Sequence, residues 1–317
     1  MKSFIVIVLV LLNALLSPIY SQDFEDFTID KEVIIFLKKQ FKDLKDFQLG
    51  IKVKNDDNQL YLDSIEYSSW FVGDFNDDGL NDLFVTGNQK KENVTYLIIA
   101  KEEADVFELV RVQPMIVEGD LNIPIIEETK NGPLIIYKQF ATEQKLTTIK
   151  GREVKYPKIF SDYYKMGFIR KDTLVYKFNG IIEYNSMPSK IPLRYIQLHS
   201  YCQFGGCPDY IIKIDSSGRI IVNNIKNTNS EPGIQKSTCE LSVFLKLQQL
   251  LQYLKLDKLE MKFGDSSADK ANALQIARQN NITYKIMDYQ QGGTLGLELL
   301  YDYLNELQYS IFLVPYS

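Results

Sequence analysis

A short acidic loop between two strand-like runs is the feature that most limits how this chain can fold. The nine residues from Asp74 to Asp82 read Asp-Phe-Asn-Asp-Asp-Gly-Leu-Asn-Asp. Phe71-Val72-Gly73 before them and Leu83-Phe84-Val85 after them are typical of β-strands. The flanks therefore predict two strands joined by this loop, whose four carboxylates repel one another at short range.

The oxygen donors of the loop follow the spacing of a Ca²⁺ site. A Ca²⁺ ion takes about six to eight oxygen ligands, and a glycine allows the sharp turn around it. An EF-hand would need a bidentate Glu at its twelfth position, where this loop has Val85, so the EF-hand is excluded. The alternative to a metal site is an exposed Asp/Asn-rich turn with no ion. The expected ligands are the side chains of Asp74, Asn76, Asp78 and Asp82 and the carbonyl of Leu80.

The segment Gly73-Asp-Phe-Asn-Asp-Asp-Gly-Leu-Asn-Asp82 resembles the calcium loop of FG-GAP and VCBS repeats, in which Gly-Asp-Phe-Asn-x-Asp-Gly-x-x-Asp is typical. The similarity covers Val72 to Thr86. In those secreted and cell-surface proteins, repeated copies build propeller blades. Only one such motif occurs in this chain, and its strand-rich segment is too short for the four or more blades of a propeller. The resemblance therefore implies the calcium loop without the propeller.

The first 21 residues are typical of a secretory signal peptide. Lys2 precedes an apolar run from Phe4 to Leu16, and Pro18 and Ser21 precede an acidic stretch. A transmembrane anchor is the alternative, but it needs about 20 apolar residues and this run is shorter. We expect cleavage after Ser21 and a secreted, periplasmic or cell-surface protein with no membrane span in the mature chain.

Length and charge limit the domain count and the partners. The chain has 317 residues, a net charge of −5 and 45% apolar residues. This length favours two domains that can each bury a core. Proteins that bind nucleic acids concentrate Lys and Arg on one face, so the acidic balance argues against that class.

The hydrophobic pattern predicts an α+β protein of two domains. Residues 22–187 are expected to form an antiparallel β-rich domain that carries the calcium loop and one packing helix from Asp30 to about Asp46. A turn- and proline-rich segment from Asn185 to Pro192 marks the boundary. Residues 188–317 are expected to form a small α+β domain of two hairpins and two helices with leucine-rich faces. The Ser237 to Glu240 capping box is predicted to start the first of these helices.

Three cysteines lie in the second predicted domain. Cys202 and Cys207 flank Gln-Phe-Gly-Gly, whose glycines allow the two ends to approach, so we expect a bridge between them rather than two free thiols. Cys239 would then remain as a buried thiol. Phe204-Gly-Gly-Cys-Pro-Asp-Tyr210 resembles the start of an uncharacterised family of exported bacterial domains with the signature C-F-G-x-C-P-x-Y. The resemblance implies a fold and a bacterial origin but no activity.

No nucleophile, base or cofactor motif of comparable strength accompanies the calcium loop. His199, the single imidazole, is the available general base near neutral pH, but a lone strand histidine is more often structural. The segment from Gly292 to Gly296 opens a helix and has the backbone N–H groups to bind an anion, although a tight strand-to-helix turn is the simpler interpretation. Scattered acids supply candidates for an acid/base pair: Asp265, Asp269, Asp288, Glu298 and Asp302.

The sequence thus predicts a secreted, calcium-stabilised binding or structural protein whose partner is a protein or a glycan. Its catalytic residues, if any, are not identifiable. A secreted hydrolase that uses two acidic residues is the alternative.

Overall fold

The computed structural model describes residues 24–53, 59, 62–103, 105–113, 121–142, 166–226 and 232–310. The predicted signal peptide, residues 1–21, lies outside these residues. The chain divides into two compact units, Met1–Val175 and Tyr176–Ser317. None of the described helices combines the length and the apolar composition that a membrane-spanning helix needs.

The protein has the expected α+β architecture. Open antiparallel sheets dominate it, helices pack on them, and the described strands do not close into a propeller. The division between the units falls earlier in the chain than the predicted boundary after residue 187. The segment before that boundary is bound to the second unit, because the Asn185 amide donates to the Tyr253 carbonyl at 2.5 Å.

The first unit contains two antiparallel sheets. Its strands are β1 Gln48–Leu49, β2 Trp70–Gly73, β3 Asp82–Gln89, β4 Glu92–Ala100, β5 Phe107–Val112, β6 Leu121–Thr129, β7 Gly132–Thr142 and β8 Met166–Lys177. In the first sheet β3, β4 and β5 are consecutive neighbours, and β1 and β2 share the free edge of β3. In the second sheet β7 lies between β6 and β8.

One helix, α1 (Asp30–Gln40), packs against the first sheet of this unit. The Glu32 carboxylate accepts the N–H groups of Thr28 at 2.8 Å and Ile29 at 3.2 Å, which satisfies two donors at the helix start. The helix ends at Gln40, earlier than predicted, because Phe41 is extended and a 3₁₀ turn follows it. The side chains that α1 buries are those of Val33, Phe36 and Leu37.

The second unit is built on a seven-stranded sheet. This sheet contains β10 Leu193–Cys202, β11 Asp209–Asp215, β12 Arg219–Lys226, β13 Gly233–Thr238, β14 Lys262–Phe263, β15 Lys270–Arg278 and β16 Thr283–Tyr289, and the short strand β9 Gly180–Glu183 precedes them in the chain. The order in the sheet is β13-β12-β11-β10-β15-β16-β14, and only the short β14–β16 pair is parallel among these described strands. The strand β9 lies outside this sheet and contacts the last helix.

Two helices complete the second unit, α2 (Leu241–Tyr253) and α3 (Leu295–Ser310). Their predicted leucine-rich faces are confirmed. One core buries alternate residues of β10, β11 and β12 together with seven leucines of the two helices: Leu247, Leu250, Leu251, Leu297, Leu300, Leu304 and Leu307. The predicted capping box was wrong. Ser237 pairs with Ile220 in the sheet, and Glu240 precedes α2 without a side-chain cap.

Candidate metal site

The acidic loop closes the hairpin between β2 and β3. Gly73 pairs with Asp82, so residues 74–81 lie outside the ladder and form the connection. Gly79 has a φ of +84° and open space around its Cα, which suits the turn that a calcium loop requires. Asp77 also has a positive φ, of 62°, and its side chain is exposed.

Asp74 is the centre of the hydrogen bonding within the loop. Its Oδ1 accepts the N–H groups of Asp77 at 2.7 Å and Asp78 at 3.2 Å, and its Oδ2 accepts that of Gly79 at 2.8 Å. Each carboxylate oxygen has two lone pairs. Accepting these N–H groups therefore fixes the loop and leaves acceptor capacity on the carboxylate.

Asn76 and Asp78 are linked in the same way. The Asn76 Nδ2 donates to Asp78 Oδ2 at 2.7 Å, and Asn76 Oδ1 accepts the Asp78 N–H at 3.1 Å. The Asp78 Oδ1 accepts the N–H of Leu80 at 2.8 Å. Three of the predicted ligands, at positions 74, 76 and 78, thus belong to one hydrogen-bonded loop.

Asp82 differs from the other loop acids because its side chain is fully buried. Its Oδ2 accepts the N–H of Phe75 at 2.9 Å, and its Oδ1 accepts that of Ala100 at 3.0 Å. Burial, with a smaller contribution from the charges of Asp78 and Asp74, raises the pKa of Asp82 to about 7, although the two hydrogen bonds oppose the rise. A buried carboxylate is costly unless an opposite charge or hydrogen bonds offset the lost hydration.

The protein supplies no cation to this loop within the described residues, where no lysine or arginine pairs with Asp74, Asp78 or Asp82. A divalent ion is the kind of charge that would offset these acids. The donor set is made of oxygens alone, as hard cations prefer. By its chemistry it therefore fits Ca²⁺, with Asp74, Asn76, Asp78, Asp82 and the Leu80 carbonyl as the groups that would hold the ion.

The acidic side chains of the loop are not gathered around one point, although their spacing in the sequence suggests that they are. Among the residues that the structure describes, no three His, Cys, Asp or Glu side chains are grouped as metal ligands. The carboxylates of Asp74 and Asp78 are turned towards N–H groups of the loop, and that of Asp82 accepts the N–H of Phe75. Binding would require these carboxylates to gather around one ion.

The sequence did not predict that Asp82 has two structural roles. As the ninth residue of the motif it was predicted to be a ligand, whereas the structure also makes it the buried anchor of the loop to Ala100 at the end of β4. Its place just before the apolar run Leu83-Phe84-Val85 was the available signal, because the first residue of a buried strand is readily buried with it.

Two of the cysteines are joined at one end of the sheet of the second unit, where Cys202 is the last residue of β10. The Sγ atoms of Cys202 and Cys207 are 2.00 Å apart, at bonding distance, with their Cα atoms 5.7 Å apart. The enclosed loop exposes 78% of Phe204 at its tip. Cys239 is a half-buried free thiol, and burial raises its pKa to about 11. A thiol with a raised pKa is a poor nucleophile, so Cys239 is a packing residue.

His199 lies on β10, where its Nε2 is 3.0 Å from Asp209 Oδ1. Asp209 Oδ2 is also 4.0 Å from the Lys226 ammonium, and the His199 ring packs 4.7 Å from that of Tyr201. A nucleophile for this His–Asp pair is not among these contacts. The arrangement agrees with a structural histidine on a sheet face.

The start of α3 is already bound to an anion of the protein itself. The Glu183 carboxylate accepts the N–H groups of Leu295 at 2.8 Å and Gly296 at 3.0 Å, and the Thr294 hydroxyl accepts that of Leu297 at 3.3 Å. The donors that the sequence offered to an external anion are therefore occupied, and the segment from Gly292 to Gly296 is a capped strand-to-helix turn.

The candidate hydrolytic acids separate into two groups. Asp265 accepts the Ser267 N–H at 2.9 Å, and Asp269 accepts that of Phe204 at 2.9 Å, so both stabilise loops. Burial raises the pKa values of Asp288, Glu298 and Asp302, and the charges of Asp302 and Asp288 contribute to the rise at Glu298. Asp288 is only 1% exposed, which denies a substrate direct access to it.

Residues 194–308 match a protein family described as a domain of unknown function, DUF6438. The match covers less than half of the chain. It begins in β10 and ends in α3, so it spans the seven-stranded sheet, the cysteine loop and both helices of the second unit. No curated protein matches the chain. The comparison therefore relates the second unit to a family without a described activity, and the calcium loop lies outside the matched residues.

Proposed function

We propose that this chain is a secreted calcium-binding protein, a binding or structural module that Ca²⁺ stabilises through the β2–β3 loop. The observation that carries the proposal is Asp82, a fully buried carboxylate whose pKa is raised by burial and by two further loop acids. A divalent ion held by Asp74, Asn76, Asp78, Asp82 and the Leu80 carbonyl would remove the repulsion and hold β2 to β3.

A stabilising ion would connect the loop to the rest of the first unit. Phe75, whose N–H Asp82 accepts, is 4% exposed and packs on Phe84, with ring centroids 6.3 Å apart. Phe84 lies in β3, at the centre of the first sheet. Ordering the loop therefore orders side chains of the core, so binding would appear as stability of the whole unit.

Titration calorimetry of the purified protein with CaCl₂, and separately with MgCl₂, tests the proposal. We expect one Ca²⁺ site with a dissociation constant of about 10⁻⁴–10⁻³ M, the range of extracellular modules, and weaker Mg²⁺ binding. Asp78→Asn should weaken Ca²⁺ binding at least about tenfold, because one ligand loses its charge. The matched control is Asp77→Asn, which removes the same charge from an exposed position of the same loop.

Absence of saturable Ca²⁺ binding in the millimolar range would overturn the proposal. Equal losses in Asp77→Asn and Asp78→Asn would show general attraction to an acidic surface instead of a site. The proposal includes a protein or glycan partner only because a binding module acts by binding such a partner.

The alternative function is a secreted hydrolase that uses two acids of the second unit. The observation in its favour is the group of raised pKa values at Asp288, Glu298 and Asp302, which is a property of acid/base sites. Hydrolysis of a panel of aryl glycosides that Glu298→Gln abolishes would support it. The burial of Asp288 places this function second.

A further inference from the structure

A polar cleft in the first unit is independent of the calcium loop. It has a volume of about 310 Å³ and lies between β4 and β5 of the first sheet and β6 and β7 of the second. Ligand pockets have volumes of about 300–1,000 Å³, so this cleft suits a small ligand.

Buried hydroxyl groups line the cleft. Thr86 and Thr95 are 1% and 4% exposed, and their Oγ1 atoms lie 3.2 Å apart. The Tyr137 hydroxyl donates to the Val112 carbonyl at 3.0 Å. The Tyr137 hydroxyl also pairs with that of Thr95, so the single donor hydrogen of each of the three hydroxyls is used within the protein. Since a hydroxyl oxygen has two lone pairs, each of these groups keeps acceptor capacity after its internal hydrogen bonds. They match a ligand whose own groups donate to them.

Asn122 adds a buried amide to the lining of the cleft. Its Oδ1 is buried and has no hydrogen-bond partner among the residues that the structure describes. Leaving such a group without a partner costs about 1–3 kcal/mol, so its retention in the lining favours a ligand that donates to it. Asn93, also in the lining, differs because both its amide oxygen and its amide nitrogen bond to the backbone of Lys52, at 2.8 and 3.0 Å.

The charges of the cleft balance each other. Arg111 and Glu92 both line it, with the guanidinium 4.0 Å from the carboxylate, and both side chains are more than half exposed. A pair of opposite charges gives no net attraction to an anion or a cation. The remaining lining is partly apolar, with contributions from Val94, Val112 and Pro124.

A sugar ring combines the properties that this lining complements. The hydroxyl groups around its edge donate and accept hydrogen bonds, and its faces carry C–H groups. A sugar without carboxylate or amine substituents has no charge. We propose that the cleft between β4–β5 and β6–β7 binds a single neutral sugar residue, with Asn122 and Thr95 as hydrogen-bonding groups. The residue is either a free monosaccharide or the end of a glycan.

Ligand-observed NMR titration with glucose, galactose, mannose and N-acetylglucosamine tests this inference on the purified protein. The methyl glycosides and the β-1,4-linked disaccharides of the same sugars form a second arm. Glucuronate and glucosamine form a third arm that tests charge. All titrations are run in EDTA and again in millimolar CaCl₂, so that failure of the calcium proposal does not affect the result.

We expect at least one neutral sugar to bind, and Asn122→Leu and Thr95→Val each to weaken it about five- to tenfold, the effect of one lost hydrogen bond. Glu128→Gln, an exposed position on the same strand as Asn122, is the matched control and should bind normally. Unfolding midpoints of all variants show whether a loss of binding reflects a loss of folding.

Binding of a methyl glycoside or disaccharide as tight as that of the free sugar identifies a glycan end, and binding of the free sugar alone identifies a monosaccharide. Three results would overturn the inference: no binding of any neutral sugar, stronger binding of a charged sugar, or binding that folded Asn122→Leu and Thr95→Val variants leave unchanged.

Discussion

The buried carboxylate of Asp82 accepts the peptide N–H of Phe75 across the β2–β3 loop at 2.9 Å. The same carboxylate accepts the N–H of Ala100 from the end of β4 at 3.0 Å. Asp82 thus joins the loop to the sheet, and it is also the ninth residue of the calcium motif. A change of charge at this one side chain should therefore affect both stability and metal binding.

Asp82→Asn should reduce the pH dependence of stability in the metal-free protein. The pKa of Asp82 is about 7 in the folded state against an ordinary value of 3.8, so the folded state holds this proton more tightly. The stabilising effect of the proton is complete below the ordinary value and is lost as the pH rises through about 7. In EDTA, the free energy of unfolding should fall by a few kcal/mol between about pH 4 and pH 7.

Denaturant titrations at several pH values measure this effect. Asp288, Glu298 and Asp302 also have raised pKa values, so the quantity to compare is the difference between the wild type and Asp82→Asn. Exposed Asp77→Asn serves as the control. Parallel curves for the wild type and Asp82→Asn would contradict the assignment.

Affinity for Ca²⁺ should fall as the pH is lowered through about 7. Metal ligands must be deprotonated, and Asp82 takes up a proton in that range when no ion is bound. Below pH 7, the affinity should decline by up to about tenfold per pH unit, and binding should release a proton. Calorimetry in buffers of different ionisation enthalpy detects the released proton, and its absence at pH 6.5 would argue against Asp82 as a ligand.

The bridge between Cys202 and Cys207 should stabilise the second unit modestly. The two cysteines are five positions apart, and closing so short a loop contributes about 2 kcal/mol in the chain-entropy account. Replacing both by alanine should lower the free energy of unfolding by about that amount, and Cys239→Ala is the single-cysteine control. Denatured protein without reductant should show one reactive thiol of its three cysteines, whereas three would exclude the bridge.

Glu183 should contribute to the stability of the second unit as the cap of α3. Its carboxylate accepts two N–H groups of the first turn and places a negative charge at the positive end of the helix. Glu183→Ala should cost about 1–2 kcal/mol in the free energy of unfolding. Exposed Glu260→Ala is the matched control, and an equal effect of both changes would show that the cap contributes nothing.

The elements that follow from local pattern were predictable from the sequence. The apolar faces of α2 and α3 were recognised because their leucines recur at helical spacing. The Asn131-Gly132 turn between β6 and β7 follows from local pattern too, because an Asn-Gly pair is typical of hairpin turns and Gly132 adopts a φ of +95°.

Features that depend on distant contacts were not predictable. Ser237 and Glu240 have the pattern of a capping box, yet Ser237 belongs to β13 because it can pair with Ile220. Glu183 was not identified as a helix cap, because it lies far from Leu295 in the chain. The cleft was not predicted for the same reason, since its hydroxyls and amides come from separate strands that carry no motif.

Thermal unfolding in EDTA and in millimolar CaCl₂ tests the central claim most directly, with wild type, Asp78→Asn and Asp77→Asn compared side by side. Binding to the folded state alone raises the unfolding midpoint. We predict a rise of several degrees for the wild type and Asp77→Asn and almost none for Asp78→Asn. Identical midpoints with and without Ca²⁺ in the wild type would contradict the claim and reduce the loop to a polar turn.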